Sequence, residues 1–303
     1  MKLKKSIEKA KQQRQDAQRK TEEDASTEGK GEAVVSKETT IPSTGKIELP
    51  AAEAVEAVVA DTEDACPEWT SPVYCESKSV ELDLKKLAQN RLVCMFPDVP
   101  EAEYYKVLRT NIQHRTRENN WNTIMITSAQ PGEGKTLTSI NLAISFAKEF
   151  NQTVLLVDCD LKRQNIRRYL NLSFDKGIVD YLVNDCQLKD LIVWPNIEKL
   201  TLISGGKTTT DSSELVGSPK MKALVHEIKN RYDDRYVIFD VPPILGGADA
   251  IAFAPLVDCI LMVVEEGRTS IQDAKKALEM IPKEKFLGFV LNRRTAPLRK
   301  YYY

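Results

Sequence analysis

From residue 122 onward the chain alternates between two patterns of apolar residues. Short apolar runs occupy 123–128, 153–158, 199–204, 236–240, 259–264 and 286–291. Each is too short for a typical helix and reads as a buried parallel strand. Between them, 136–150, 178–183, 220–231, 248–255 and 270–281 carry apolar residues at helical spacing. Such alternation predicts an α/β fold: a doubly wound, mostly parallel sheet with helices on both faces. Ahead of it, 101–117 puts Ala102, Tyr105, Leu108 and Ile112 on one side of a helix. Residues 67–100 supply Trp69, Val73, Tyr74, Leu82, Leu84 and Leu87 and are expected to pack as a lead-in to this core.

The first 66 residues are patterned differently. Residues 1–20 are rich in Lys, Arg and Gln, with Leu3, Ile7, Ala10 and Ala17 at helical spacing, which predicts a basic amphipathic arm. A solvated arm and a helix docking a partner or an acidic membrane surface both fit. Residues 21–66 turn acidic and lack aromatics up to the end of the stretch, a composition that cannot offset its ordering entropy. They are expected to form a disordered linker.

Composition narrows the classes. Apolar residues make up 42% and charged residues 29% of 303, ordinary for a soluble globular protein. A net charge of −1 gives no global attraction to nucleic acid, so no nucleic-acid partner is expected. No apolar run reaches the length of a membrane span, and Met1-Lys2-Leu3-Lys4-Lys5 lacks the apolar core of a signal peptide. A cytoplasmic location is expected. The six cysteines (Cys66, Cys75, Cys94, Cys159, Cys186 and Cys259) show no CxxC spacing and read as reduced structural thiols.

The chemistry starts at Ser128-Ala129-Gln130-Pro131-Gly132-Glu133-Gly134-Lys135-Thr136, which leaves a predicted strand and opens a predicted helix. That is the setting of a phosphate-binding loop. Gly132 and Gly134 let the backbone curl until consecutive N–H groups face one anion. The positive end of the following helix adds about 0.3–1 kcal/mol for each nearby negative group. Lys135 reaches the β and γ phosphates and Thr136 supplies a hydroxyl for Mg²⁺. Residues Gln130, Pro131, Gly132, Glu133, Gly134, Lys135, Thr136 and Leu137 are thus expected to cradle Mg-ATP. Ala129 stands where the usual form has its first glycine.

Three acids lie at the ends of two of these runs. Asp158 and Asp160 close 153–158, and ligands of parallel sheets bind beyond the carboxyl ends of strands. Two carboxylates there serve Mg²⁺ or take a proton from an attacking hydroxyl, unless they are plain capping acids. Asp240, followed by Val241-Pro242-Pro243, fits a Walker B aspartate. The tail Arg299-Lys300-Tyr301-Tyr302-Tyr303 offers either phosphoryl acceptors or an aromatic end that packs on a surface.

Taken with these motifs, the chain resembles the bacterial tyrosine kinases, P-loop autokinases of exopolysaccharide and capsule export. The resemblance spans roughly 80–303 and includes Glu103-Tyr104-Tyr105-Lys106-Val107-Leu108-Arg109-Thr110-Asn111 and Gly288-Phe289-Val290-Leu291-Asn292. It is to the soluble branch without a fused membrane domain. It implies a MinD/ParA-like P-loop NTPase fold, with 67–120 a lead-in and oligomerisation helix, 121–298 the kinase domain and 299–303 the tyrosine tail. It implies catalytic roles for Lys135, Asp158 and Asp160, with Asp158 as the base. Mg²⁺ would be held by Thr136, Asp158 and Asp240, and Asn292 would join the nucleotide site. Tyr301, Tyr302 and Tyr303 would be acceptors for a neighbouring subunit. Glu103, Lys106 and Arg109 would form the oligomerisation motif, with Lys106 where the family has Arg. Lys162 likewise stands where the second acidic motif has Arg. Implied partners are further copies in a ring or dimer, an inner-membrane chain-length-determinant protein that recruits the kinase to the membrane, and a cognate tyrosine phosphatase.

Two rivals remain. A ParA/MinD-like switch ATPase would hydrolyse ATP without phosphorylating protein, but such proteins carry a lysine where this chain has Gln130. A non-catalytic ATP-binding regulator of polysaccharide export is the other.

Overall fold

A computed structural model describes residues 78–96 and 98–295. The basic arm (1–20), the acidic linker (21–66) and the tyrosine tail (299–303) lie outside the described residues, as do Cys66 and Cys75.

In chain order the elements are β1 (Lys78–Ser79), α1 (Leu84–Gln89), α2 (Glu101–Glu118), β2 (Thr123–Ser128), α3 (Lys135–Ala147) and β3 (Thr153–Asp158). Then come α4 (Ile166–Leu170), α5 (Ile178–Asn184), β4 (Ile192–Trp194), β5 (Leu200–Ile203), α6 (Ser212–Val216) and α7 (Pro219–Asn230). The series closes with β6 (Arg235–Asp240), α8 (Asp249–Phe253), β7 (Cys259–Glu265), α9 (Ile271–Glu279) and β8 (Phe286–Asn292).

These strands form one sheet in the order β1-β4-β5-β3-β6-β2-β7-β8. Every neighbouring pair is parallel except β4 and β5. The central strands β2, β3 and β6 are buried along their whole length, in keeping with their apolar centres. Alternate side chains go to opposite faces. On one face Met125, Leu155, Val157, Val237 and Phe239 pack against α5, α7, α8 and α9. On the other Ile124, Ile126, Val154, Leu156 and Ile238 pack against α1, α2, α3 and α4. The sheet is therefore doubly wound around two cores.

Helix α3 is nearly all buried, with only Leu137 partly open, so it lies between the sheet and α2 rather than on the surface. It ends at Ala147, three residues before the end of the 136–150 pattern, and Phe150 is exposed. The turn that follows reverses through Asn151 in the left-handed region (φ 55°). The 248–255 pattern divides into α8 and a 3₁₀ turn at Ala254–Leu256, because Pro255 has no N–H to continue the helix. Cys94, Cys159, Cys186 and Cys259 are free thiols, and all but Cys186 are buried. Among the described residues no helix is long and apolar enough to cross a membrane.

Candidate active site

Strands β2, β3 and β6 are adjacent and parallel, so their carboxyl ends open on one edge. The loop from Ser128 to Gly134 leaves β2, while Asp158 and Asp240 are register partners at the ends of β3 and β6. Gly132 (φ 89°) and Gly134 (φ 96°) occupy the left-handed region that side chains avoid. A Cβ on Gly134 would fall 2.0 Å from Asn292 Nδ2, so that position is closed to larger residues twice over.

Lys135 is the first residue of α3. Its Nζ lies 3.0 Å from Asp160 Oδ2 and 3.4 Å from Asp240 Oδ1. Thr136 Oγ1 donates to Asp240 Oδ2 at 2.6 Å, and Ser139 Oγ donates to Asp240 Oδ1 at 3.2 Å. Asp158 accepts from the backbone N–H of Asp160 (3.2 Å) and of Ile166 (3.2 Å). Asp160 Oδ1 accepts from the Arg163 N–H at 3.0 Å. Lys135, Thr136, Asp158, Asp160 and Asp240, picked out one by one along the sequence, thus stand around one buried point.

Charge does not balance there: three carboxylates face one ammonium. Burial alone would weaken the Lys135 ammonium, but Asp240 and then Asp160 outweigh it and hold its pKa above the usual lysine value. Burial raises the Asp240 carboxyl above its ordinary value, against the pull of Lys135 and the Thr136 hydroxyl. Asp158 is pushed well above the carboxylate range by burial and then by Asp240. An acid-rich, buried cluster of this kind is stabilised by an added cation.

The rest of the loop is fastened from the other side. Glu133 is buried, and its carboxylate accepts from the Gln130 N–H at 2.8 Å and from the Thr269 hydroxyl. Asn292 Nδ2 donates to the Glu133 carbonyl at 2.8 Å, and Arg268 Nη2 donates to the Pro131 carbonyl at 3.1 Å. Leu137 is partly buried and packs against the core on the α3 face of the sheet. Lys162 pairs with buried Asp249 at 3.1 Å, and Asp249 also accepts from Ser212.

The three residues expected to form an oligomerisation motif separate. Glu103 and Lys106 pair with each other on the exposed side of α2 at 2.9 Å. Arg109 turns inward, donating to the Ser145 carbonyl at 2.7 Å and pairing with Glu149. Tyr301, Tyr302 and Tyr303 lie outside the described residues. Ser139, Thr269, Arg268 and the Glu133 carboxylate join the site without belonging to any of the expected motif roles. Ser139 carried a usable signal, since it sits one helical turn after Lys135 and so shares its face.

A family profile described as an AAA domain matches residues 121–286. The tyrosine-protein kinase YwqD of Bacillus subtilis (strain 168) is 33% identical over 209 residues, covering 68% of this chain and 87% of that protein. The chain belongs to the bacterial tyrosine kinases. The tyrosine-protein kinase CpsD of Streptococcus pneumoniae serotype 4 is likewise 32% identical over 66% of this chain and 87% of its own length. Among solved structures, the chimerical protein CapA2B2 superposes with a TM-score of 0.62 at 28% identity, covering 74% of this chain and 95% of that one. The kinase domain of the Escherichia coli tyrosine kinase ETK gives 0.60 at 28% identity, over 67% and 80% of the two chains. This bacterial tyrosine kinase also shares its fold with the cell division ATPase MinD of Pyrococcus furiosus (TM-score 0.50, 24% identity, 57% and 73% covered).

Proposed function

We propose that this bacterial tyrosine kinase is a Mg-ATP-dependent autokinase that phosphorylates Tyr301, Tyr302 and Tyr303 of a neighbouring copy and so regulates exopolysaccharide polymerisation and export. One observation carries the reading: Lys135, Thr136, Asp158, Asp160 and Asp240 converge at the exit of three adjacent parallel strands. The donor set suits Mg²⁺, because Thr136 Oγ1 and Asp240 Oδ2 are hard oxygens 2.6 Å apart. Among the described residues no three His, Cys, Asp or Glu side chains gather to hold a metal alone. Bound Mg²⁺ would offset the charge of the β and γ phosphates.

The chain's own groups supply the rest. Loop N–H groups and Lys135 hold the triphosphate, with Asp160 keeping the ammonium in place. The phenol oxygen of an incoming tyrosine bonds to the γ phosphorus as the β–γ bridging P–O bond breaks, and ADP leaves. Asp158 accepts the phenol proton, a role favoured by a carboxyl whose proton affinity is already raised. The exposed Glu103–Lys106 pair is available for contact between copies in a ring or dimer. An inner-membrane chain-length-determinant protein is the partner that would bring a cytoplasmic kinase to the membrane, and a tyrosine phosphatase would reverse its phosphorylation.

The test is incubation of the full chain with Mg-ATP, followed by phosphotyrosine detection and mass spectrometry of the tail peptide. Phosphotyrosine that disappears in Lys135→Met and in the triple Tyr→Phe tail is the expected result. ATP turnover without phosphotyrosine would favour a switch ATPase, and neither signal would favour a non-catalytic regulator.

A further inference from the structure

With the γ end of a triphosphate directed to Asp158, Asp160 and Asp240, the order of the strands decides where the nucleoside lies. The acids leave β3 and β6 on one side of β2, and β7 and β8 lie on the other. Base and ribose therefore emerge over the exits of β7 and β8. There, Arg268 and Arg293 both pair with Glu265, at 3.1 and 2.8 Å. Arg268 also donates to the Pro131 carbonyl at 3.1 Å, and a Cβ on Gly132 would lie 3.1 Å from its Nη1. In a trans peptide the Pro131 carbonyl points opposite to the Gly132 N–H. The guanidinium thus sits outside the curl that faces phosphate, against the loop, with its side chain 53% exposed.

We infer that Arg268 is a positioning residue for the nucleoside, its guanidinium covering the base-and-ribose end of the bound nucleotide. A guanidinium stays charged, is planar, and has five N–H donors, so donors remain after Glu265 and Pro131 are served. It stacks on aromatic faces as an ammonium does not. Glu265 holds it from one side and the loop carbonyl from the other, which limits the freedom lost on binding. The inference rests on the nucleotide reading given above.

Equilibrium binding of ATP and of inorganic tripolyphosphate, each with Mg²⁺, tests it on the full chain and on Arg268→Ala and Arg268→Lys. Arg268→Ala should weaken ATP about tenfold and leave tripolyphosphate within about twofold. Arg268→Lys should recover only part of the loss. Equal losses for both ligands would mean that Arg268 shapes the loop rather than holding the nucleoside, and would overturn the inference. So would unchanged ATP affinity in Arg268→Ala. If the alanine variant unfolds, the lysine variant and Arg268→Gln carry the same two-ligand comparison. A parent chain that binds neither ligand would sink the nucleotide site itself, a failure separate from that of Arg268.

Discussion

On the β3–β6 side of the phosphate-binding loop, Lys135, Asp160 and Asp240 have side chains 9%, 5% and 0% exposed. On the β7–β8 side, Arg268 and Arg293 are each 53% exposed and share one carboxylate. The same loop thus joins a buried cluster with excess negative charge to a wet cluster with excess positive charge. Removing one partner from a buried pair strands a desolvated charge and costs about 3–5 kcal/mol, whereas an exposed pair contributes about 0–1 kcal/mol. The buried side is where charge is held ready for chemistry. The exposed side adjusts at little cost, which suits orienting a ligand.

The largest expected effect is on the buried side. Lys135→Met removes the ammonium and should lower phosphotransfer about a thousandfold or more. It also strands Asp160 and Asp240, so stability should change as well, with its sign set by how much proton the two acids take up. A phosphotyrosine assay that fell less than about tenfold would break the contrast between the two sides.

Asp158→Asn is next, with phosphotransfer expected to fall about 10²–10⁴-fold if the carboxylate is the base. Its effect on stability has a definite sign in pH. Burial and Asp240 raise the folded-state pKa of Asp158, so the folded chain holds a proton that the unfolded chain releases. The resulting stability is fully present below the ordinary carboxylate value and is lost as pH rises through the raised one. The contribution of Asp158 should therefore fade from about pH 4 upward in the nucleotide-free chain, so the melting temperature of Asp158→Asn should rise relative to that of the parent as pH increases. Parallel melting curves for the two would remove Asp158 as the stressed group.

Gly134→Ala tests the seam between the sides. The backbone there has φ 96°, and a Cβ would meet Asn292 Nδ2 at 2.0 Å. Backbone strain and collision together should cost about 1–3 kcal/mol in urea unfolding. Gly267 has φ 73° with nothing within 4 Å of a Cβ, so Gly267→Ala measures the backbone part alone, about 1 kcal/mol. Equal losses at the two glycines would mean that Asn292 yields freely.

How much of this was legible along the chain follows from length and burial. Strands β2 and β3 lie at the centre of the sheet, and their short apolar runs, 123–128 and 153–158, match the observed ends. Two-residue β1 and three-residue β4 are too short for any periodicity, and the β4 reversal depends on pairing rather than on composition. The five-residue helices α4 and α6 were missed for the same reason. The acids stood out because a carboxylate that ends an apolar run is chemically anomalous. Glu133 did not, since a glutamate between two glycines reads as exposed until Thr269, from a distant loop, closes over it. Arg268 shows only an i,i+3 partner in Glu265 along the chain, because the loop carbonyl it holds, on Pro131, is 137 residues away.

The smallest effect is expected at Arg293. Its only described partner is Glu265, which keeps Arg268 when Arg293 is removed. Arg293→Ala should therefore change stability by less than about 0.5 kcal/mol. Because the Arg293 guanidinium is half exposed, raising salt from about 0.05 to about 0.5 M should shrink even that difference. A loss above about 2 kcal/mol, or one that salt left untouched, would show that the β7–β8 side is held by charge in the same way as the buried acids. In that case the division of the loop into a stressed side and an adjustable side would fail at its mildest point.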